Sequence, residues 1–336
     1  MKKKSKFLLI GVVGAILSTG LGWNVVSGQT QMEKLRVAYS AISPTQLHGI
    51  IPLEAGLYKK NGLDVELIFF SGAPLAVSAM IVGETPIIQA AAVGVINSHI
   101  NGSDAVLLTG AINRFPYQLY VDKTIMRVQD LKGKKFGIAR IGAGDHSSAM
   151  IVLKNQGLDP QTDLTFVQVG SVPTRLAALI GGFIQATLLI PPETLQGKDA
   201  GFRMLLDFTE LDVEYQHTGI ATTRAFIKKR PDVVRRFVRA YVDGIHYILT
   251  NPAGTKKIMH KFLKAKSDAA IDEAYDGLVL KVTRRVPYPT HQGIQLILDQ
   301  LKPTVPAATK ADPKNFTDLS FLKQLEDSGY ISNIYR

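Results

Sequence analysis

Asp145, His146 and Ser147 are the three side-chain types of an acyl-transfer triad, standing side by side between Gly144 and Ser148. A triad needs its members to converge from different elements, whereas three adjacent residues at a helix start diverge. No Ser in the chain stands in a G-x-S-x-G elbow. The seven His include no HExxH pair, and zero Cys excludes thiolate metal sites, Cys nucleophiles and disulfides. Gly142-x-Gly144-x-x-Ser147 is one glycine short of a dinucleotide fingerprint, and the following strand ends at Val169-Gly170 without the acid that would hold a ribose. Neither Gly133-Lys134 nor Gly197-Lys198 runs on into the Ser or Thr of a P-loop. What remains for this stretch is binding, with no catalytic residue, metal or cofactor. A polar loop entering a helix presents unpaired N–H groups and a partial positive charge, which suit an anion or a polar ligand head.

The elements that position this stretch follow from local patterns. Within Leu131–Leu158, Lys135–Ala139 reads as a strand, Gly142–His146 as a turn and Ser147–Gln156 as an amphipathic helix closed by Gly157. Upstream, Leu35–Tyr39 reads as a strand. Ser43-Pro44-Thr45-Gln46 fits a capping box, with Ser43 accepting from the Gln46 N–H and Gln46 answering back. Leu47, Ile50, Ile51 and Leu57 give that helix one apolar face, Asn61-Gly62 stops it, and Leu63–Phe70 alternates as the next strand. The unit repeats through a helix from Ala73, a strand at Pro86–Ala90, a helix at Val93–Ile100 and a strand at Ala105–Gly110. Strand and helix alternating at this spacing predict βαβ crossovers and a parallel sheet with helices on both faces. A second α/β block runs from Val128 to Asp207, and a helical series follows Thr223, including Pro231–Thr250, Asp268–Arg284 and His291–Leu301.

Polar loops recur at the carboxyl ends of these strands: Ser40–Ser43, Ser71-Gly72, Asn113-Arg114, Gly142–Ser148, Gly170–Pro173 and Pro191–Glu193. Open α/β sheets carry their ligand crevice there. The candidate contacts are Ser43, Gln46, Ser71, Gly72, Asn113, Arg114, Asp145, His146, Ser147, Ser148, Arg175 and Glu193. Arg175 sits in the first turn of its helix, where the dipole disfavours a cation. An anionic ligand, a neighbouring acid or a solvated face would each account for it.

Composition narrows the setting. The 336 residues are 46% hydrophobic and 20% charged, enough for one large or two medium domains with proper cores. Met1–Lys6 is basic, Phe7–Gly22 is apolar, and Val26-Ser27-Gly28 offers small residues for cleavage, so residues 1–28 read as a secretory signal peptide. An uncleaved anchor is the rival reading, although an apolar run of about sixteen residues is short against the roughly twenty of a membrane span. No Cys follows the run to take a lipid. Without its four Lys, 35 bases face 28 acids and the net charge falls from +11 to +7. The remaining Lys and Arg are scattered along helices rather than interleaved with aromatics, which argues against nucleic acid as a partner.

Several linked phrases carry a family resemblance. Leu35-Arg36-Val37-Ala38-Tyr39 precedes Glu54-Ala55-Gly56-Leu57-Tyr58-Lys59-Lys60-Asn61-Gly62-Leu63-Asp64-Val65-Glu66. Asp130-Leu131-Lys132-Gly133-Lys134-Lys135-Phe136-Gly137-Ile138 then leads into Leu153-Lys154-Asn155-Gln156-Gly157-Leu158. Over roughly residues 33–285 the chain resembles the substrate-binding proteins of ABC importers in the SsuA/NMT1/THI5-like group, which includes nitrate, sulfonate and thiamine-precursor binders.

The resemblance implies an α/β, two-lobed type II periplasmic-binding fold. Each lobe would hold a mixed, mostly parallel sheet flanked by helices, with a helical C-terminal tail. Residues 33–115 plus 220–336 would form one lobe and 120–215 the other, with hinge strands near Phe115–Asp122 and Glu214–Thr222. It implies a periplasmic monomer that captures a small solute and delivers it to an inner-membrane permease and its ATPase. Ser43, Ser71, Asn113 and the N–H groups around Asp145–Ser148 would donate hydrogen bonds, with Arg114 or Arg175 as counter-charge. Ala143 stands where sulfonate binders often carry Ser. Glu84-Thr85-Pro86 and Gly182-Phe183-Ile184-Gln185-Ala186 lack the Asp that relatives often have, which implies a diverged ligand. A sensor module for a membrane receptor is one alternative. An enzyme on the same fold is another, but the pyrimidine-precursor synthases of this kind use a cysteine-rich motif that is absent here.

Overall fold

Among the described residues, ten strands form two separate five-stranded sheets, and the chain passes between them twice. The computed structural model describes residues 32–265 and 267–336. The leader read at residues 1–28 lies outside the described residues. β1 (Glu33–Tyr39), β2 (Leu63–Phe69), β3 (Ile87–Ala91), β4 (Ala105–Ile112) and β10 (Thr218–Thr223) make the first sheet, in the order β2-β1-β3-β10-β4. β5 (Gln118–Val121), β6 (Lys135–Ile138), β7 (Thr165–Gln168), β8 (Ala186–Leu189) and β9 (Arg203–Asp207) make the second, in the order β7-β6-β8-β5-β9.

The two sheets share one design. β1 pairs in parallel with β2 and β3, as β6 does with β7 and β8. The fourth strand in each order, β10 or β5, runs antiparallel to both its neighbours. Each of these is the strand reached immediately after a crossing. β3, β4 and β8 are buried at every residue, as strands covered on both faces by helices must be. The sheets are thus mixed rather than wholly parallel, because each crossing delivers its strand from the opposite direction.

The crossings occupy residues 113–117 and 208–217, and they are tied to each other. The Tyr215 N–H donates to the Asn113 carbonyl at 3.1 Å, His217 N–H to Ile112 O at 2.9 Å, and Phe208 N–H to Tyr117 O at 2.9 Å. Phe115 stacks on Tyr215 with ring centres 4.3 Å apart and meets Phe208 edge-on. The hinge ranges read from sequence overlap these crossings but extend into β5 and β10, which are paired on both sides.

The chain after β10 is helical. Pro231–Thr250 buries Val234, Phe237, Val238, Tyr241, Ile245 and Ile248, the one-face pattern that its sequence period demands. Phe237 stacks on Tyr58 with ring centres 5.1 Å apart. The predicted helix Asp268–Arg284 is interrupted: Asp268–Ala274 gives way to a wider π turn at Tyr275–Val279 and a last turn at Leu280–Val282. Tyr275 is buried at that widening and donates to Ile248 O at 2.7 Å.

Two other local readings are corrected. The helix of the Gly142 loop starts at Gly144 and not Ser147. At Ser43 no side-chain cap forms. Its hydroxyl pairs with Thr45 Oγ1 at 2.6 Å, and Gln46 Oε1 accepts from the Ser40 N–H. A short 3-10 turn at Pro44–Gln46 places the Gln46 N–H on the Ser43 carbonyl, which removes the donor that a capping box needs.

Candidate functional site

β1, β2, β6 and β7 each deliver a polar loop and then a helix start to one cleft between the sheets. The residues at those starts are Ser43, Gly72, Ala143 and Ser171, and all four line the cleft. None of the four accepts a side-chain capping hydrogen bond from its helix. The sheet symmetry makes β1 the counterpart of β6 and β2 that of β7, so the starts come as two facing pairs. Proline takes one N–H from the starts at Ser43, Gly72 and Ser171, and the first-turn N–H groups not bonded within the turn bring a share of positive potential. The cleft volume is about 50 Å³, room for about four water molecules at roughly 10–15 Å³ each.

The side chains add further donors. Ser43 and Thr45 share one hydroxyl–hydroxyl bond, so one of their two protons is left over. Tyr117 Oη lies 2.8 Å from His217 Nε2, and His217 Nδ1 lies 2.7 Å from Thr218 Oγ1. Burial pushes the His217 imidazole down to about 3, so the ring is neutral and carries one N–H. Three protons serve two bonds in that chain, and in either tautomer one hydroxyl proton remains. Tyr117, His217 and Thr218 all line the cleft.

The two charged side chains in the lining cancel. Arg175 is 2% exposed, and its Nη1 lies 3.2 Å from Asp145 Oδ2. It also donates to Gly170 O, Leu188 O and Thr187 Oγ1. Asp145 Oδ2 accepts from the Ala139 N–H at 2.6 Å. A neighbouring acid therefore accounts for Arg175 at its helix start, and no free guanidinium is presented to a ligand. Ile42, Phe69, Ala143, Val172 and Ile190 give the cleft an apolar component. Gly144 is tightly enclosed: a Cβ there would lie 2.8 Å from Ala91 Cβ and 2.9 Å from His217 Nε2.

Of the candidate contacts, Ser43, Gln46, Ser71, Gly72, Asp145 and Arg175 line the cleft. The other six are placed elsewhere. Asn113 turns to the tail and donates to Tyr288 O at 2.9 Å. Arg114 is half-exposed and 4.0 Å from Asp212. His146 accepts from the Gly142 N–H, packs edge-on against Phe166, and is held below the usual histidine range by burial. Ser147 donates to Gln300 Oε1 at 3.2 Å, and Ser148 to Gly144 O at 2.7 Å. Glu193 is buried with one carboxylate oxygen unpartnered, and burial raises it to about 7. His146 and Ser147 face a second groove of about 620 Å³ instead. Asp145, His146 and Ser147 thus bond to three different partners and not to one another, as their divergence from one helix start requires.

Tyr117, His217, Thr218 and Phe69 are lining residues that sequence reading missed. The one local signal was a run of three polar side chains, Gln216-His217-Thr218, leading into strand β10.

Two mixed sheets joined by two crossings, with a cleft at their carboxyl ends, define the two-lobed binding fold of periplasmic binding proteins. Residues 48–255 match the family described as NMT1/THI5 like, and the chain belongs to that family. Among curated proteins it is similar to the riboflavin-binding protein RibY of Chloroflexus aurantiacus, with 28% identity over 145 residues. That match covers 41% of this chain and only 40% of RibY. The structure is similar to one from Bordetella bronchiseptica RB50, with TM-score 0.78 and 19% identity over 89% of this chain and 98% of the other. It is also similar to the alkanesulfonate-binding protein SsuA of Xanthomonas axonopodis pv. citri bound to MOPS. There the TM-score is 0.70, with 16% identity over 84% of this chain and 96% of the other. No helix among the described residues is long and apolar enough to cross a membrane.

Proposed function

We propose that the protein is the solute-binding component of an ABC importer, a periplasmic monomer that captures a compact solute in the cleft between its lobes. The lobes are residues 33–115 plus 220–336 and residues 120–215, and delivery is to an inner-membrane permease and its ATPase. The observation that carries this reading is the convergence of uncapped helix starts from both lobes, Ser43 and Gly72 facing Ala143 and Ser171. Such a clamp needs no chemistry. Donors from both sides grip the ligand and lobe closure desolvates it. The surplus of donors, with Arg175 already neutralised by Asp145, favours a solute that offers oxygen acceptors and an apolar body. Membership of the NMT1/THI5 like family supports the same role.

Native mass spectrometry of the purified protein tests the reading by its mass and by any small molecule that co-purifies. A thermal-shift panel of riboflavin, MOPS, nitrate and neutral carbonyl compounds complements it, since a ligand at about 100 times its Kd adds roughly 2.7 kcal/mol of stability. A ligand whose stabilisation survives loss of the Ser43 and Ser71 hydroxyls and closure of the Gly144 site would overturn the assignment of the cleft.

A further inference from the structure

The chain after β10 is fastened to one lobe and reaches the other. Its anchors are hydrogen bonds at the end of β4: the Gly110 N–H donates to Pro287 O at 2.7 Å, and the Asn113 side-chain Nδ2 to Tyr288 O at 2.9 Å. The Thr290 N–H adds a bond to Gln216 Oε1 at 2.9 Å. From that base two side chains extend to the second sheet's helices. Gln300, on helix His291–Leu301, accepts from Ser147 Oγ at 3.2 Å. Glu273, on helix Asp268–Ala274, accepts from Thr194 Oγ1 at 3.1 Å.

Ser147 and Thr194 are each 1% exposed, and each sits on a helix that follows a cleft strand, one after β6 and one after β8. Neither hydroxyl touches the cleft, so ligand contact does not explain them. We infer that the C-terminal helices are a two-point latch that holds the second lobe against the first, through Ser147–Gln300 and Thr194–Glu273. Both acceptors stand on the one segment anchored to β4, so lobe separation must break both bonds and leave buried hydroxyls to find new partners. Arg140 Nε to Ser71 O, at 3.3 Å on the cleft rim, is the matching contact on the ligand side and lies outside the latch.

The absence of Cys makes the test direct. Glu66→Cys and Lys154→Cys introduce one exposed spin-label site on each lobe, and pulsed electron resonance reads the distance between them. Ser147→Ala with Thr194→Val is expected to move a substantial fraction of molecules to distances longer by more than about 2 Å, the scale of a lobe rearrangement. Each single variant should move less. Gln300→Ala with Glu273→Ala, made on the tail itself, should reproduce the shift. Circular dichroism confirms folding, and if one pair of substitutions unfolds the protein the other pair decides. Distances unchanged from the parent in either folded double variant overturn the latch. No ligand is needed, so the result stands apart from the proposed transport role.

Discussion

Glu193 offers the sharpest test of how the second lobe is packed behind the cleft. Its carboxyl is 6% exposed, and one oxygen lacks a hydrogen-bond partner. Burial raises its pKa from 4.5 to about 7, against the opposing pull of its own N–H and of Arg175. The folded protein therefore keeps Glu193 protonated between those values while the unfolded chain ionises. Across that window the native state binds the extra proton, so stability falls as pH rises and is flat above about 7. The full difference of about 2.5 in pKa corresponds to about 3 kcal/mol, of which less than about 1 kcal/mol is felt at pH 5. Glu193→Gln removes the titration. Any constant cost of the amide cancels when the variant and parent are compared across pH. Urea unfolding of both proteins from pH 5 to pH 8 should show the variant gaining about 2–3 kcal/mol relative to the parent. A stability difference independent of pH would refute the buried, desolvated carboxyl.

Three further outcomes follow from the same geometry. Asp145→Asn leaves the Arg175 guanidinium buried without its carboxylate, and should cost about 3–5 kcal/mol in urea unfolding. Gly144→Ala sets a methyl against Ala91 and His217. It should cost about 1–3 kcal/mol of overpacking and abolish ligand-induced thermal stabilisation, because the clash lies between the lobes. Arg114→Ala should change unfolding free energy by less than about 0.5 kcal/mol, and should leave ligand affinity intact in calorimetry, since Arg114 is half-exposed beside Asp212 and outside the cleft.

Much of the fold is written locally. Pro231–Thr250 and His291–Leu301 have the bounds that their apolar period and Pro or Thr starts predict. The alternation of strand and helix is likewise visible, and the phrases around Glu54–Glu66 and Asp130–Ile138 point to the family to which the chain belongs. These features are legible because a helix period, a Gly stop and a strand alternation are decided by neighbours a few residues apart.

The site is less legible, because its residues meet only through the topology. Tyr117 and His217 are 100 residues apart and touch because the two crossings lie side by side. Asp145 and Arg175 sit on helices that follow the adjacent strands β6 and β7. Their pairing turns an apparent counter-charge for a ligand into an internal neutralisation. The stretch from Gly142 to Ser148 shows the division most clearly. Its residue types alone determined that it is a polar helix entry without catalytic convergence. A helix starting three residues earlier than its local pattern suggests, with each residue turning by about 100°, decided that Asp145 faces the cleft while His146 and Ser147 turn to the outer groove. Local propensity sets that a helix forms there; packing of Gly144 against Ala91 and His217 sets where it begins.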